Sequence, residues 1–385
     1  MVPLIQPFPW ITAFTDRLGL SYHESKHLPR YLTSLIVSRT KTIRSMNALF
    51  TDNLSSRSMT RFLNESSLDV NSQRVVELQN HNETRWSQKG IAIIDDTLIH
   101  KTGKHIPHVY TFYDHAEERF VDAQCITTLH YADRKTNYAL DYRLYVKQGE
   151  EGFKTKIQLA QELLAQALAL GMPAQTIVFD AWYLCEEMVS FITSQSRMYI
   201  GACKSNLLIR WEGNRYISLD DYVKKISVWR PFSVNGRSPE VYTKQVHFKS
   251  IGDARLIVSR EGKNIICLAT NRTDHATKVI ADYLLRWKVE DFYKNAKQHL
   301  GLEKCQVRDI EGIKRHWYLV FLAHSILKLG AAEGVLGNSI LRSSIGQRVR
   351  RACIEALESF VLWVLETKSV SEVRDFMEGF IYRQT

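Results

Sequence analysis

The sequence contains no Cys-x-x-Cys pair. Its six cysteines, Cys125, Cys185, Cys203, Cys267, Cys305 and Cys353, are scattered singly. That pattern argues against a zinc knuckle and a disulfide framework and fits a reducing cytoplasm. No secretory leader is expected, because the apolar opening is broken by Pro3, Pro7 and Pro9 and follows no basic stretch. Long hydrophobic runs are also missing. The longest near the end, from Trp317 to Leu329, carries His324 and Lys328; it is too short to span a bilayer, so no membrane partner is expected. There is no internal repeat and no low-complexity linker. Acidic charge is in deficit: 41 acids stand against 51 Lys and Arg, a net charge of +10 with a pI near 9.2. Such an excess favours a polyanionic partner, because neutralising phosphates releases counterions.

What is present is enough apolar residue, 45% of 385, for a catalytic core with attached modules. Residues 1–85 read as helical. Leu32, Leu35, Ile36, Ile43, Met46 and Leu49 recur among basic residues, and the hydroxyl-rich run Ser55–Leu63 can cap a helix or contact phosphate. This stretch is expected to be either a DNA-binding module or a plain packing domain. From Gly90 the pattern changes. Ile91–Thr97 is a short apolar run ending in acids, stretches near 120–131 and 138–145 alternate like an antiparallel pair, and Lys154–Leu170 is amphipathic and stopped by Gly171. Thr176–Asp180 is a second apolar run ending in an acid. A helix over 184–193 and a strand over 198–202 follow. This order suits an α/β fold with a mixed sheet and helices on its faces. Residues 206–270 are strand-rich, a long helix covers 277–300, and the C-terminal region is helical.

Asp96 and Asp180 each end an expected strand, and neighbouring strands can bring such ends together over a crevice. Paired carboxylates are hard ligands for magnesium or manganese, the ions that serve phosphoryl transfer. Asp95 is a rival to Asp96, since side chains alternate along a strand and only one of the two should face the crevice. Acids in such positions also serve as ordinary turn residues and helix caps.

The most informative segment runs from Tyr283 to Lys297. On a helical wheel with Tyr283 at zero, Arg286 falls near 300°, Glu290 near 340°, Lys297 near 320° and Lys294 near 20°. One acid among cations and a phenol forms a face suited to metal and phosphate. A solvated face with an Arg286–Glu290 ion pair has the same pattern.

The spacing of Tyr283, Arg286, Glu290 and Lys297 resembles the Tyr-Arg-Glu-Lys signature of insertion-sequence transposases of the insertion-sequence-4 superfamily. Asp95-Asp96-Thr97 and Val178–Tyr183 resemble the two aspartate motifs of that family. The resemblance covers about residues 90–330. It implies a ribonuclease H-like core (86–205 and 271–330) interrupted by a β-rich insertion (206–270), with helical flanks at 1–85 and 331–385. It also implies an Asp-Asp-Glu triad of Asp96, Asp180 and Glu290 holding two Mg2+ or Mn2+ ions, with Tyr283, Arg286 and Lys297 on DNA phosphates; Lys294 joins them as an expected DNA contact through its place on the helix face. The expected partners are double-stranded transposon ends and target DNA, with a homodimer on paired ends. The expected reaction is cut-and-paste cleavage and strand transfer, with a DNA hairpin as one route. A strained hairpin is relieved by flipping a base onto an aromatic ring, for which Trp229 and Trp211 are candidates; core packing is the rival role for both.

Other signals are weaker. His100, His105 and His108 suggest a basic loop in preference to a transition-metal site, and Lys101 and Lys104 there could touch DNA. Arg342, Arg348, Arg350 and Arg351 form a basic cluster, either a DNA contact or the wet side of a helix packed through Val349, Cys353 and Leu357. The rival functions are a nuclease of the same fold without joining activity, a non-catalytic DNA-binding descendant, and a metalloenzyme acting on small phosphate esters.

Overall fold

The computed structural model describes residues 3–52, 54–103, 105–232, 239–332, 343–367 and 369–384. The chain opens with helices α1 (Pro9–Thr15), α2 (Tyr22–Val37), α3 (Ile43–Asn47), α4 (Ser56–Glu65) and α5 (Val70–Asn80). Strands β1 (Ile91–His100), β2 (Tyr110–Asp114), β3 (Arg119–Ala132) and β4 (Asn137–Leu144) follow. Next come α6 (Lys156–Ala169), β5 (Thr176–Phe179), α7 (Glu186–Ser194) and β6 (Met198–Ala202). The strand-rich stretch holds β7 (Leu208–Arg210), β8 (Tyr216–Ser218), α8 (Leu219–Lys224), β9 (Arg230–Pro231), β10 (Glu240–Phe248), β11 (Gly252–Glu261) and β12 (Asn264–Thr270). The chain closes with α9 (Ala276–Leu284), α10 (Trp287–Gln298), α11 (Ile310–Ala332), α12 (Ile345–Thr367) and α13 (Val370–Gln384). Two compact units result: unit 1 takes residues 1–85, 98–124 and 292–385, and unit 2 takes 86–97 and 125–291.

Unit 1 is built around α11. Ile313, Trp317, Leu319, Val320, Phe321, Leu322, Ala323, Ile326 and Leu327 are all buried, so this helix is apolar around its circumference, as expected of one enclosed by others. It packs against α2, α4, α5 and α12. Both ring nitrogens of its His316 are matched: the Tyr31 hydroxyl lies 2.7 Å from Nδ1, and Nε2 meets the Gly301 carbonyl at 2.9 Å. Helix α2 starts with a reciprocal capping box between Ser21 and Glu24. β2 and the first residues of β3 form an antiparallel hairpin in this unit. β2 was not foreseen in the sequence.

Unit 2 contains a sheet ordered β4-β3-β1-β5-β6-β12-β11-β10-β7-β8, with β9 paired to β10. β1, β5 and β6 run parallel, and β3 and β4 antiparallel. Parallel strands in mid-sheet are covered on both faces, which explains why Ile91–Ile94 and Ile177–Phe179 read as unbroken apolar runs and are all buried. This is a ribonuclease H-like α/β fold with extra strands, flanked in the sequence by helical segments. The extra strands are the antiparallel series β6-β12-β11-β10.

The long helix expected over 277–300 is broken. α9 ends at Leu284 and α10 begins at Trp287. No glycine or proline marks the junction. The N–H groups of Leu285, Arg286, Lys288 and Val289 each bond the carbonyl three residues back, not four. The chain is therefore wound more tightly there, and a continuous wheel does not place Tyr283 relative to Glu290.

Gly201 on β6 allows the ring of Phe179 on β5 to approach. A Cβ there would lie 2.5 Å from Phe179 Cε2 and 2.8 Å from Leu184 Cδ1. Both neighbours are buried, so neither can move cheaply. Gly201→Ala is expected to cost about 1–3 kcal/mol of stability, read as a lower urea midpoint at unchanged slope.

Candidate active site

The last paired residues of β1 and β5 are Ile94 and Phe179, in parallel register. The next residues in step are Asp95 and Asp180. The end of the register brings these two carboxylates close enough for the charge of Asp180 to raise Asp95. Asp95 is buried. Burial pushes its carboxyl up to about 7, the charges of Asp180 and Asp96 add to the rise, and Arg286 opposes it. Asp180 is raised first by burial and then by Asp96, while the N–H groups of Trp182 and Tyr183 hold it down.

Arg286 is the cation shared by this group. Its Nη1 donates to Asp95 Oδ2 at 2.9 Å and its Nη2 to Glu290 Oε1 at 2.9 Å. Burial works against its charge, but Asp95, Tyr283 and Glu290 outweigh it and raise the guanidinium pKa. Its Nε is buried with no partner. Tyr283 is buried beside it; burial raises the phenol, with Arg286 opposing. Glu290 is exposed.

Asp96 falls on the other face of β1, where it is fully engaged. Lys156 Nζ donates to its Oδ2 at 2.7 Å, the Tyr183 hydroxyl donates to Oδ1 at 3.1 Å, and the Cys125 thiol lies 3.6 Å from Oδ2. Burial lowers the Lys156 pKa, but Cys125 and Asp96 outweigh it, so the lysine keeps its charge firmly. Burial pushes the Cys125 thiol up to about 12.

The other expected site residues are placed elsewhere. Lys294 and Lys297 belong to unit 1. Lys294 is exposed; Lys297 Nζ donates to the Leu98 carbonyl at 2.7 Å and pairs with Glu303 at 3.0 Å. Trp229 lies in the strand-rich stretch, with its Nε1 on the Ile226 carbonyl and Arg260 4.1 Å over its ring. Trp211 packs edge-on to Tyr222. Lys101 is not available to DNA: it is buried and donates to the carbonyls of Glu303 and Cys305. Lys104 and Arg342 lie outside the described residues.

One group that the sequence did not suggest stands in unit 1. His100 ends β1, Asp114 ends β2, and Glu117 sits in the turn that follows; their ligand atoms lie within 4.8 Å of one another, a set able to coordinate a divalent cation. His100 Nε2 is 2.9 Å from Asp114 Oδ2, and Nδ1 is 3.6 Å from Glu117 Oε1. Burial pushes the Asp114 carboxyl up, but the N–H of Ala116, His100 and the N–H of Glu117 outweigh it and leave it lowered. Arg119 also pairs with Glu117. His105 and His108 do not join the group. His105 is exposed, and His108 Nδ1 lies 3.2 Å from the Tyr110 hydroxyl. The sequence signal lay in the β2 hairpin, which brings Asp114 and Glu117 back to the end of β1.

A protein-family model described as "DDE superfamily endonuclease" matches residues 14–225, more than half of the chain. The chain belongs to the DDE superfamily endonucleases. The matched stretch of this DDE-family chain includes both strand-end aspartates and the His100 group, and stops short of Tyr283. Comparison with curated proteins found no match. Among solved structures, the chain is similar to one titled "Cryo-EM structure of piggyBac transposase synaptic complex with hairpin DNA (SNHP)". The identity is 12%, covering 96% of this chain and 81% of that one, with a TM-score of 0.48. It is also similar to the NurA nuclease from Sulfolobus solfataricus, at 11% identity over 68% and 92% of the two chains and a TM-score of 0.25.

The narrower resemblance to insertion-sequence-4 transposases carrying an Asp-Asp-Glu metal triad does not stand. The matching family is the broader one, its match ends before the Tyr-Arg-Glu-Lys segment, and the close ligand set among the described residues is His100, Asp114 and Glu117. The physical reason is visible in unit 2. Asp96 is held on one face of β1 by Lys156 and Tyr183, and Glu290 is held by Arg286.

The raised carboxyl of Asp95 has a consequence for stability. Between 3.8 and about 7 the folded DDE-family chain binds a proton at Asp95 that the unfolded chain has released. Stability therefore falls as pH rises through that window, by on the order of a few kcal/mol. Urea unfolding across this range is expected to show the fall, and Asp95→Asn is expected to flatten it. A wild-type profile that rises with pH would contradict the burial argument.

Proposed function

We propose that the chain is a metal-dependent DNA transposase that nicks transposon ends and joins the freed 3′ hydroxyl to target DNA. The observation that carries this reading is the β1–β5 register, which crowds Asp95 and Asp180 together with Asp96 one residue away. Arg286 on Asp95 offsets part of that charge, and both Asp95 and Asp180 are pushed upward in pKa. Hard oxygen donors with too little positive charge among them fit divalent Mg2+ or Mn2+, with two ions in this reading. Such ions, when bound, supply Lewis-acid stabilisation of charge on the attacking and leaving oxygens.

The chain's own residues do the rest. Asp95 and Asp180 hold the cations, and Arg286 beside them meets a DNA phosphate. Tyr283 steadies a phosphate beside Arg286, Lys294 and Lys297 of unit 1 bind phosphate in their own right, and Trp229, backed by Arg260, offers an aromatic face to an unstacked base. The helices of residues 1–85 contact the duplex, and two copies of the chain bring two DNA ends together.

A second reading has its own observation: the close His100, Asp114 and Glu117 set places the cation in unit 1. Cleavage of DNA flanking the gene, with Mg2+ or Mn2+, separates the two. Asp95→Asn and Asp180→Asn are expected to lower nicking by about 100-fold or more with DNA binding retained, and His100→Ala to leave it near wild type. The reverse pattern moves the centre to unit 1. Nicking without joining of pre-cut ends reduces the activity to that of a nuclease, and no nicking with either ion leaves a DNA-binding protein.

Lys297→Ala is expected to weaken binding with a shallower salt dependence, since one phosphate contact is lost. A salt slope equal to wild type would remove Lys297 from the DNA contacts.

A further inference from the structure

Helix α12 is apolar on two opposite sides. One side faces the core of unit 1: Ala352 and Ala356 are buried, and Glu355 accepts from Trp10 Nε1. The other side carries Ile354, Leu357, Val361 and Leu365, which are 47%, 48%, 45% and 76% exposed. With Ile354 at zero and about 100° per residue, Leu357 falls near 300°, Val361 near 340° and Leu365 near 20°, whereas Ala352 and Ala356 fall near 160° and 200°. The steps of three, four and four residues make a continuous seam of the kind that pairs with another helix. Leu362, also exposed, widens it. Leu357 is thus not on the packed side, as periodicity suggested. Contiguous exposed apolar surface of this kind marks an interaction site.

The charges beside the seam identify the occupant. Exposed Arg350 and Arg351 stand in the first third of the helix and exposed Glu366 at its end, while Glu358, near the middle, pairs with Arg351 of the same helix at 3.7 Å. A helix that is basic at one end and acidic at the other is complementary to itself in the antiparallel sense. Parallel pairing would set like charges together. We propose that α12 is the interface between two copies of this chain, packed antiparallel about a two-fold axis near Leu357 and Glu358. Ile354 of each copy then meets Val361 of the other, Arg350 lies alongside Leu365 and Glu366, and the two Glu358 side chains near the axis are each offset by Arg351 of their own helix. Such an interface is isologous, the usual form for a homodimer. It gives a place to the two-copy arrangement in the function proposed above and rests on that reading only for its purpose, since the surface is independent of the metal centre.

The test is sedimentation velocity of the full chain over a range of concentrations. Wild type is expected to dimerise. Leu357→Glu is expected to raise the dimer dissociation constant by at least about tenfold, and Arg350→Glu to raise it less, with the Arg350→Glu/Glu366→Arg double variant recovering most of the loss. Arg350 and Glu366 are exposed, so the charge pair keeps the test sound even if Leu357→Glu fails to fold. A chain that stays monomeric at every concentration overturns the proposal, as does a dimer insensitive to both single substitutions or a double variant that is not restored. Nicking by Asp180 is measured separately on the same proteins. Lost dimerisation with nicking intact, or the reverse, tells failure of the interface from failure of the enzymatic reading.

Discussion

Carboxylates buried next to one another raise each other's pKa, and burial raises it further, because the charged form loses water and meets a like charge. Parallel pairing of β1 with β5 sets Ile94 against Phe179, and the acids that follow are close enough for the charge of Asp180 to raise Asp95. Arg286 is the cation that makes the arrangement tenable, held at equal distance by Asp95 and Glu290. Much else in the unit follows from supplying it. α9 ends and α10 starts around Arg286, and the tightened turn between them lets one guanidinium reach the strand-end acid and an acid one turn ahead on its own helix.

Asp96 shows a different solution one residue away. Alternation sends it to the opposite face of β1, where Lys156 on α6, Tyr183 and Cys125 satisfy its oxygens. Adjacent acids thus differ in kind. Asp96 is matched by an ammonium and a hydroxyl, while Asp95 shares its cation with Glu290. Lys156 in turn lies 5.2 Å from the exposed Trp182 ring, so the segment after Asp180 also leans on the cation that serves Asp96.

The core strands could be read from the sequence because their chemistry is local. Ile91–Ile94 and Ile177–Phe179 are apolar at every position, and the pair β3 and β4 alternates, so existence and order both followed. β2 could not be read, because Tyr110–Asp114 has no clean alternation of its own and is made a strand by pairing with β3. With β2 unseen, Asp114 and Glu117 had no reason to be placed near His100, and the three histidines of 100–108 drew attention in their stead. The break at Leu285 was hidden for another reason: no glycine or proline announces it. At the acids, pattern located the strand ends, but the choice between Asp95 and Asp96 needed the register with β5, a long-range fact that no local window contains.

Helix α12 exposes a further limit of periodicity, and the same limit is what makes the helix informative. A helix apolar on one side tells which side is buried. A helix apolar on two sides leaves open which of them the chain's own core takes. Small side chains decide it here: Ala352 and Ala356 permit close approach to neighbouring helices, whereas the branched residues Ile354, Val361 and Leu365 would hold them apart. Bulk that the monomer leaves in water costs solubility without stabilising the fold, at roughly 25 cal/mol per Å2 of apolar surface left exposed. A seam of that chemistry, graded from basic to acidic along its length, has its natural counterpart in its own reverse.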